Sequence, residues 1–253
     1  MTRLRPFWIA GRFLSRLPFP DPGPTAPTEV GRSVPWYPLV GLLMGLPAAL
    51  AALLLADTPS DLAAALVLIL WVWSSGGLHL DGLADSADAW IGGLGSRERT
   101  LEIMKDPRSG PAAVTAIVLT LLLKWSALKT LVATGVLWPL LIVPLLARAQ
   151  LPLLLLTTHY ARTQGMASDQ FHHLPRRMAW LSLVLSGLAT LVVAGWIGAA
   201  LILAVLTLYW FARRAMLARI SGFTGDTAGA LVELTETLAL ALCALVGVET
   251  FDS

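Results

Sequence analysis

The chain has 253 residues, of which 56% are hydrophobic and only 13% charged, with a formal charge of +2 and a mean hydropathy of +0.72. Soluble globular domains carry about 25% charged residues, so this composition excludes an ordinary water-soluble fold and points to an integral membrane protein. The pI near 9.0 does not argue for nucleic acid, because the basic residues are dispersed between apolar runs and form no patch; the single Cys243 excludes an internal disulfide framework and reads as a packing residue.

Residues 1–20 interleave Arg3, Arg5, Arg12 and Arg16 with Phe7, Trp8, Ile9, Phe13 and Leu14, the pattern of an amphipathic helix in the membrane interface. The segment lacks the uninterrupted apolar core and small-residue cleavage site of a secretory signal, so it is expected to be retained. Residues 18–35 hold five prolines before Pro35 and predict an irregular loop. Seven apolar runs follow, at 36–56, 61–78, 111–130, 136–156, 179–196, 198–217 and 229–248, against the roughly 20 residues that cross about 30 Å of hydrocarbon. The breaks at 57–61 and 196–198 are short enough to predict antiparallel helical hairpins. The expected fold class is therefore all-α: a polytopic helical bundle of about seven transmembrane helices plus the N-terminal amphipathic helix.

Between the second and third runs stands GGLHLDGLADSADAW, residues 76–90, which packs Asp81, Asp85 and Asp88 into eight residues of an acid-poor chain. On a helix, offsets of four and seven residues put all three within about 60° of arc. Like charges so placed cannot all stay ionised without a compensating cation, and a hard divalent ion such as Mg²⁺ takes such oxygen ligands while keeping waters or substrate phosphates in its shell. Small residues at Gly82, Ala84, Ala87 and Ala89 leave room for a bulky ligand. A solvated acidic loop is the bland alternative. His79, two residues ahead of Asp81, is either a hydrogen-bonding partner of the aspartates or a base.

Next, residues 96–110, SRERTLEIMKDPRSG, space Glu98 and Glu102 as a solvated helix face and then offer Lys105, Asp106 and Arg108 ahead of a glycine. Lys105 and Arg108 have the chemistry to hold phosphates, and Asp106 could complete a metal shell. Arg148 lies inside an apolar run, where a charge needs a partner: one of the carboxylates or a substrate phosphate. His172 and His173 lie with Arg176 and Arg177 in a basic loop that reads as surface. Finally, GFTGDTAGALVELTE at 222–236 surrounds Asp226 with Gly222, Gly225 and Gly229 and places Glu233 and Glu236 on its face, at offsets of seven and ten. Intramembrane carboxylates are costly enough to be functional by default. Metal or substrate contact is the reading for Glu233, beside the Thr224, Gly225, Asp226 turn; a boundary residue reaching back to water is the alternative.

The Lys and Arg of the N-terminal segment and of residues 97–108, 162–177 and 213–219 fall on one side of these runs, with only Lys124 and Lys129 towards the other. The positive-inside rule places the N-terminus, the aspartate motif and residues 218–230 in the cytoplasm and the Glu249, Asp252 tail outside.

Together these strings resemble the cobalamin synthase (adenosylcobinamide-GDP ribazoletransferase) family. The likeness is carried by FLSRLPFP at 13–20, GGLHLDGLADSADAW at 76–90, LEIMKDPRSG at 101–110 and TGDTAGALVEL at 224–234, in the same order over nearly the whole chain, with HLDGLAD the specific string. PRSGPAA at 107–113 departs from the family's more usual Ser before the Arg and Thr and Gly after the Gly. The resemblance implies a single transferase domain over residues 1–253 in the bacterial inner membrane, its site facing the cytoplasm and its surroundings membrane lipid, with no nucleic-acid partner. It implies a reaction joining α-ribazole, or its 5′-phosphate, to the β-phosphoryl group of adenosylcobinamide-GDP with release of GMP and with Mg²⁺ as cofactor. Carried onto this chain, Asp81, Asp85 and Asp88 would bind the metal with Asp106, Asp226 and Glu233. Lys105, Arg108, Arg148, Thr224 and Gly225 would hold substrate, and His79 would belong to the catalytic group, in which one carboxylate deprotonates an attacking 5′-hydroxyl. Two rivals differ in class. A CDP-alcohol phosphotransferase would show an Ala-Arg pair where Ala84 is followed by Asp85, and an ion or proton transporter would show inverted repeats, of which the sequence carries none.

Orientation is directly testable: cysteines introduced near Ser96 and near Ser221 are expected to react with a membrane-impermeant thiol reagent from the cytoplasmic side, and one near Asp57 from the opposite side. Labelling of the first two from opposite sides would break the site apart.

Overall fold

The computed structural model describes residues 4–162 and 166–249. The expectations for Arg3 and Asp252 lie outside the described residues. Among those residues the secondary structure is helical, apart from one isolated parallel bridge between Tyr160 and Phe223, so the all-α class holds.

Helix α1 (Arg5–Leu14) buries Ile9, Ala10 and Leu14 against the rest of the chain, and Arg5 reaches across to Glu29 at 2.7 Å. The proline-rich stretch is not irregular throughout. Residues Pro27–Ser33 form α2, and a 3-10 turn (Val34–Trp36) leads straight into α3 (Tyr37–Leu54). Pro27 stands in the first turn, where a backbone N–H has no helical partner to lose, so there proline starts a helix instead of preventing one.

The second apolar run also differs from expectation. Helix α4 (Ser60–Ser75) ends at Gly76 and Gly77, both left-handed with φ of 62° and 75°, a conformation open to glycine at little steric cost. Helix α5 (Leu78–Gly92) then leaves at 85° to α4. The aspartate motif is thus a helix in its own right, set across the end of the preceding one.

Four further elements lead to the C-terminal helix: α6 (Arg97–Ile103), α7 (Pro111–Ala133), α8 (Pro139–Thr157) and α9 (Met166–His172). Helix α10 (Arg176–Ile220) covers two of the expected runs in 45 residues, but Gly195 has φ 54° and ψ −129°, outside helical geometry. Gly198 lies against the Thr190 carbonyl, which a continuous helix would hold about 12 Å away. Ser186 and Gly187 share a cavity with Ile202 and Val205. The chain therefore doubles back at Gly195, as the short break predicts. Helix α11 (Gly225–Glu249) completes the bundle. All seven apolar runs are helical. By length and composition, five helices could cross a membrane, or six if the bent α4 and α5 pair counts as one span.

Helix α8 runs through the centre, packed on α3, α10 and α11, with nearly every side chain buried. The surrounding helices turn Leu53, Leu54, Ile69, Leu119, Val192 and Leu203 outward, as expected where lipid is the solvent. Two apolar clusters make up the core. One gathers Val67, Trp71, Leu128, Leu140, Leu146 and Leu240, and the other Leu14, Tyr37, Leu151, Leu154, Phe223 and Leu231.

The contact between α3 and α8 depends on missing side chains. Gly41 and Gly45 lie directly on the backbone carbonyls of Pro144 and Leu140. Pro144 has no N–H to offer the Leu140 carbonyl four residues back, so that oxygen is left open to a close Cα approach. Gly45→Val is expected to cost about 1–3 kcal/mol through the forced separation, read as earlier loss of helicity on denaturant titration of the detergent-solubilised protein. An unchanged curve would show that the two helices have slack at this point.

Candidate active site

The two acidic motifs meet where α5 crosses α11. At the crossing Gly82 faces the backbone of Asp226 and Gly229, and a Cβ there would lie 2.6 Å from the Asp226 carbonyl oxygen. Gly229 in turn lies against the backbone of His79 and Gly82. Glycine on both partners lets the backbones touch, and this close approach carries Asp226 into the neighbourhood of Asp81 and Asp85. The start of α11 is fixed locally: the Thr224 N–H donates to Thr227 Oγ1 at 2.9 Å, and Thr227 N–H returns a bond to Thr224 Oγ1 at 3.3 Å. Asp226 falls in the first turn of α11, where the helix dipole favours a negative charge.

Asp81 is exposed, and Asp85, Asp88 and Asp226 are half-buried. Asp85 feels the like charges of Asp81, Asp226 and Asp88, with Arg162 set against them. Arg162 pairs with Asp226 through Nη2 at 2.8 Å. These carboxylates therefore lie close enough to repel one another, and one guanidinium offsets only part of their charge. Asp81, Asp226 and Arg162 lie on the wall of a cavity of about 360 Å³, together with His79, Gly82, Gly225 and Gly229. The rest of the lining is mostly apolar, from α1, α3, α8 and α11, with Tyr160 and with Ala167 and Gln170 of α9.

Asp88 has a different task. Its carboxylate accepts from the backbone N–H of Gly110 at 2.5 Å and of Ala113 at 3.0 Å. It thereby caps the start of α7, whose own preceding residue, Gly110, has no side chain to do so. The stretch between α6 and α7 is pinned at both ends, by this cap and by the contact of Met104 Sδ with Thr224 Oγ1 at 3.6 Å. Lys105 and Arg108 are exposed on the arch so formed, between the two aspartate-bearing helices. Arg108 donates to Asp106 through its backbone N–H, Nε and Nη2. These hydrogen bonds hold the Asp106 carboxyl down at about 2, so Asp106 is charged at any working pH and a phosphate reaching Arg108 must share it with that carboxylate. Behind the arch, Arg97 donates to the carbonyls of Ile220 and Ala161, and Arg219 to those of Trp90 and Gly93. These bonds tie the end of α10 to the ends of α5 and α6.

Glu233 is not brought to this face. It lies deeper, where Lys124 Nζ of α7 contacts both Glu233 and Glu236 at 2.5 Å. Glu236 also accepts from Arg148 of α8 and from Trp71 Nε1 of α4, the latter at 2.7 Å. The other Arg148 nitrogen, Nη2, faces His79 Nδ1 at 3.3 Å. All four charged side chains are at most 4% exposed. Two cations and two carboxylates thus form a balanced set in the seam between the apolar clusters: Arg148 falls between Leu146 and Leu151, and Glu233 follows Val232. Arg148 finds a carboxylate, the first of the two partners the sequence allowed it. Sequence reasoning missed Lys124 and Trp71; the available signal was a lone lysine inside the 111–130 run, where a charge needs an opposite one at the same depth. Among the described residues no three Asp, Glu, His or Cys side chains converge closely enough to hold an ion unaided.

A family model described as cobalamin-5-phosphate synthase matches residues 6–244. Similar proteins include the adenosylcobinamide-GDP ribazoletransferase of Pseudomonas putida, 55% identical over 240 residues that make up 94% of this chain and 98% of the relative. Those of Ectopseudomonas mendocina and Pseudomonas fluorescens are 54% and 52% identical, covering 94% and 95% of this chain and 97% and 99% of their own. No solved structure matches the chain.

The buried charge set makes its own prediction. Lys124→Met leaves Glu233 buried without a cation and is expected to cost about 3–5 kcal/mol of stability, whereas Lys124→Met combined with Glu233→Met keeps the Arg148 and Glu236 pair balanced and recovers most of the loss. Denaturant titration of both variants in one detergent checks it; equal loss in the two would mean that the charges do not act as a balanced set.

Proposed function

The chain belongs to the cobalamin-5-phosphate synthase family, and on that footing we propose that it is an adenosylcobinamide-GDP ribazoletransferase working at the cytoplasmic face of the bacterial inner membrane. The observation that carries the reading is the meeting of Asp81 and Asp226, far apart in the chain, with Arg162 on the wall of one cavity. A transfer between phosphates asks little covalent work of a protein and much neutralisation and positioning. Carboxylates for a metal and a guanidinium for phosphate oxygens are the groups such a transfer uses.

One expectation changes on this reading, in which the 5-phosphate of the family's name is taken to stand on the ribose of the product. A product that keeps a phosphate on the 5′-oxygen of its ribose cannot arise by attack of that oxygen, so the nucleophile is a secondary ribose hydroxyl. Its oxygen forms a bond to the β-phosphorus of adenosylcobinamide-GDP, and the bond from that phosphorus to the bridging oxygen breaks with its electron pair leaving on GMP. The hydroxyl proton passes to Asp81, which lines the cavity and has no ion-pair partner among the described residues. Arg162 holds Asp226 in place and offers its remaining donors to the phosphates. Lys105 and Arg108 meet the guanosine-side phosphate from the arch.

Mg²⁺ fits the residues present. Asp85 and Asp226 supply hard oxygen donors, and Asp85 feels the like charges of Asp81, Asp226 and Asp88, a setting for an ion that keeps waters and substrate phosphates in its shell. When bound, it would neutralise the pyrophosphate and stabilise the leaving group. Glu233 and Asp106, engaged by Lys124 and Arg108, are left out of this set, and Asp88 contributes mainly by holding α7.

The test is turnover by the purified protein in detergent or nanodiscs, given adenosylcobinamide-GDP with α-ribazole or its 5′-phosphate. GMP and the cobamide product are expected in equal amounts, with dependence on Mg²⁺ and none of either after chelation. Asp81→Ala and Asp85→Ala are expected to lower kcat by roughly 10²–10³-fold or more, the scale on which single groups stabilising transition-state charge act, without loss of folded protein. An Asp85→Ala enzyme of near-normal rate at saturating Mg²⁺ would sink the metal assignment.

A further inference from the structure

The cavity beside Asp81 and Asp226 has a second wall that the phosphate chemistry does not use. Phe13 from α1, Tyr37 from α3 and Leu151, Leu154 and Leu155 from α8 face it, and the Phe13 and Tyr37 rings stack with centroids 6.0 Å apart and planes 24° from parallel. At about 360 Å³ the cavity is near the small end of ligand pockets. That is on the scale of a nucleoside.

Two buried polar atoms on residues lining this cavity make no well-formed hydrogen bond within the protein. Tyr37 is 1% exposed and its hydroxyl makes no hydrogen bond of good geometry; the Ser33 oxygen, whose own proton goes to the Val30 carbonyl at 2.7 Å, is a neighbouring protein acceptor. His79 is 2% exposed. Its Nδ1 faces Arg148 Nη2, and a guanidinium can only donate, so Nδ1 is the acceptor and the ring proton sits on Nε2. That Nε2 has no partner. Buried donors left unpaired are rare and costly, and each one calls for an explanation. A bound molecule that brings acceptors supplies it.

We propose that this cavity is the subsite for the acceptor nucleoside: the flat benzimidazole of α-ribazole lies along Phe13, Leu151 and Leu154, Tyr37 donates to its one unprotonated ring nitrogen, and His79 Nε2–H donates to a ribose oxygen. This rests on the reaction proposed above and adds the site of one substrate. The chemistry matches in both directions. Benzimidazole linked through one nitrogen has an apolar carbocycle, a single acceptor and no N–H, and the inner wall offers apolar surface with donors. Guanine would bring N–H groups that need acceptors, and the surface made by Phe13, Leu151 and Leu154 has none, the one amide of the lining being Gln170 on α9, so the guanosine of the other substrate belongs outside, towards the arch. The ribose is then at the end where Asp81 and Asp226 stand, with its secondary hydroxyls next to the carboxylate that takes the proton.

The experiment is equilibrium binding of α-ribazole alone to the full-length protein in detergent, followed by tryptophan fluorescence or calorimetry, with turnover measured in parallel. Wild-type protein is expected to bind α-ribazole without the corrinoid, and to bind guanosine at least tenfold more weakly. Ala167→Phe, which adds bulk from the short helix α9 that also lines the cavity, is expected to weaken α-ribazole binding at least tenfold while leaving the KM for adenosylcobinamide-GDP within about twofold. Tyr37→Phe removes only the hydroxyl and is expected to weaken binding by up to roughly tenfold, the range for one neutral hydrogen bond. It should also abolish discrimination against the indole riboside, in which the ring nitrogen is replaced by C–H. Absence of α-ribazole binding, guanosine binding as tightly, or α-ribazole affinity unchanged in both variants overturns the subsite whatever the turnover assay gives. Intact, variant-sensitive α-ribazole binding with no turnover supports the subsite and overturns the reaction alone.

Discussion

The structure depends on a balance of charge within the membrane-embedded bundle. Lys124 and Arg148 face Glu233 and Glu236 where none of the four can reach water, and an ion left alone in such a place costs several kcal/mol. Contacts between charged atoms at hydrogen-bond distance tolerate little sliding. Trp71 from α4 and His79 from α5 attach to the same set, so five helices are held in one register along their length. Apolar packing alone would not do this, since hydrocarbon side chains pack about equally well against lipid and against one another. The set also decides the tautomer of His79, and through it what the aspartate helix presents to its cavity.

Above this layer the site follows a different rule. Gly82 and Gly229 bring backbone to backbone, so aspartates far apart in the chain become neighbours without any attraction between them. Their repulsion is offset in part by Arg162 and is otherwise sustained by the rigidity beneath. Lower down every charge has its opposite. In the site an excess of negative charge is left over, ready for a cation and the phosphates it would bring.

Much of this was legible in the chain. The apolar runs became helices, the break near residue 197 became a hairpin, and Asp81, Asp85 and Asp88 share a face because a helical period of 3.6 residues demands it. What escaped were facts about partners. Periodicity says which residues share a face and says nothing of what that face meets, so Lys124, 109 and 112 residues from the carboxylates it binds, read as a stray charge on the far side. Glu233 shares a helical face with Asp226 by count, yet two turns of helix carry it down to Lys124 and away from the site. Asp88 looked like a third metal ligand because the N–H groups it caps belong to a loop 22 residues on. The prolines before residue 35 suggested broken chain, although Pro27 falls where a helix accepts one.

Asp88 serves two helices at once. Its charge sits on α5 while its hydrogen bonds hold the first turn of α7, and a side-chain cap of this kind is worth about 1 kcal/mol. A substitution there changes the negative charge that α5 presents and the footing of the arch that carries Lys105 and Arg108 in the same stroke. The charge of one helix and the seating of the next loop are not separable at this position.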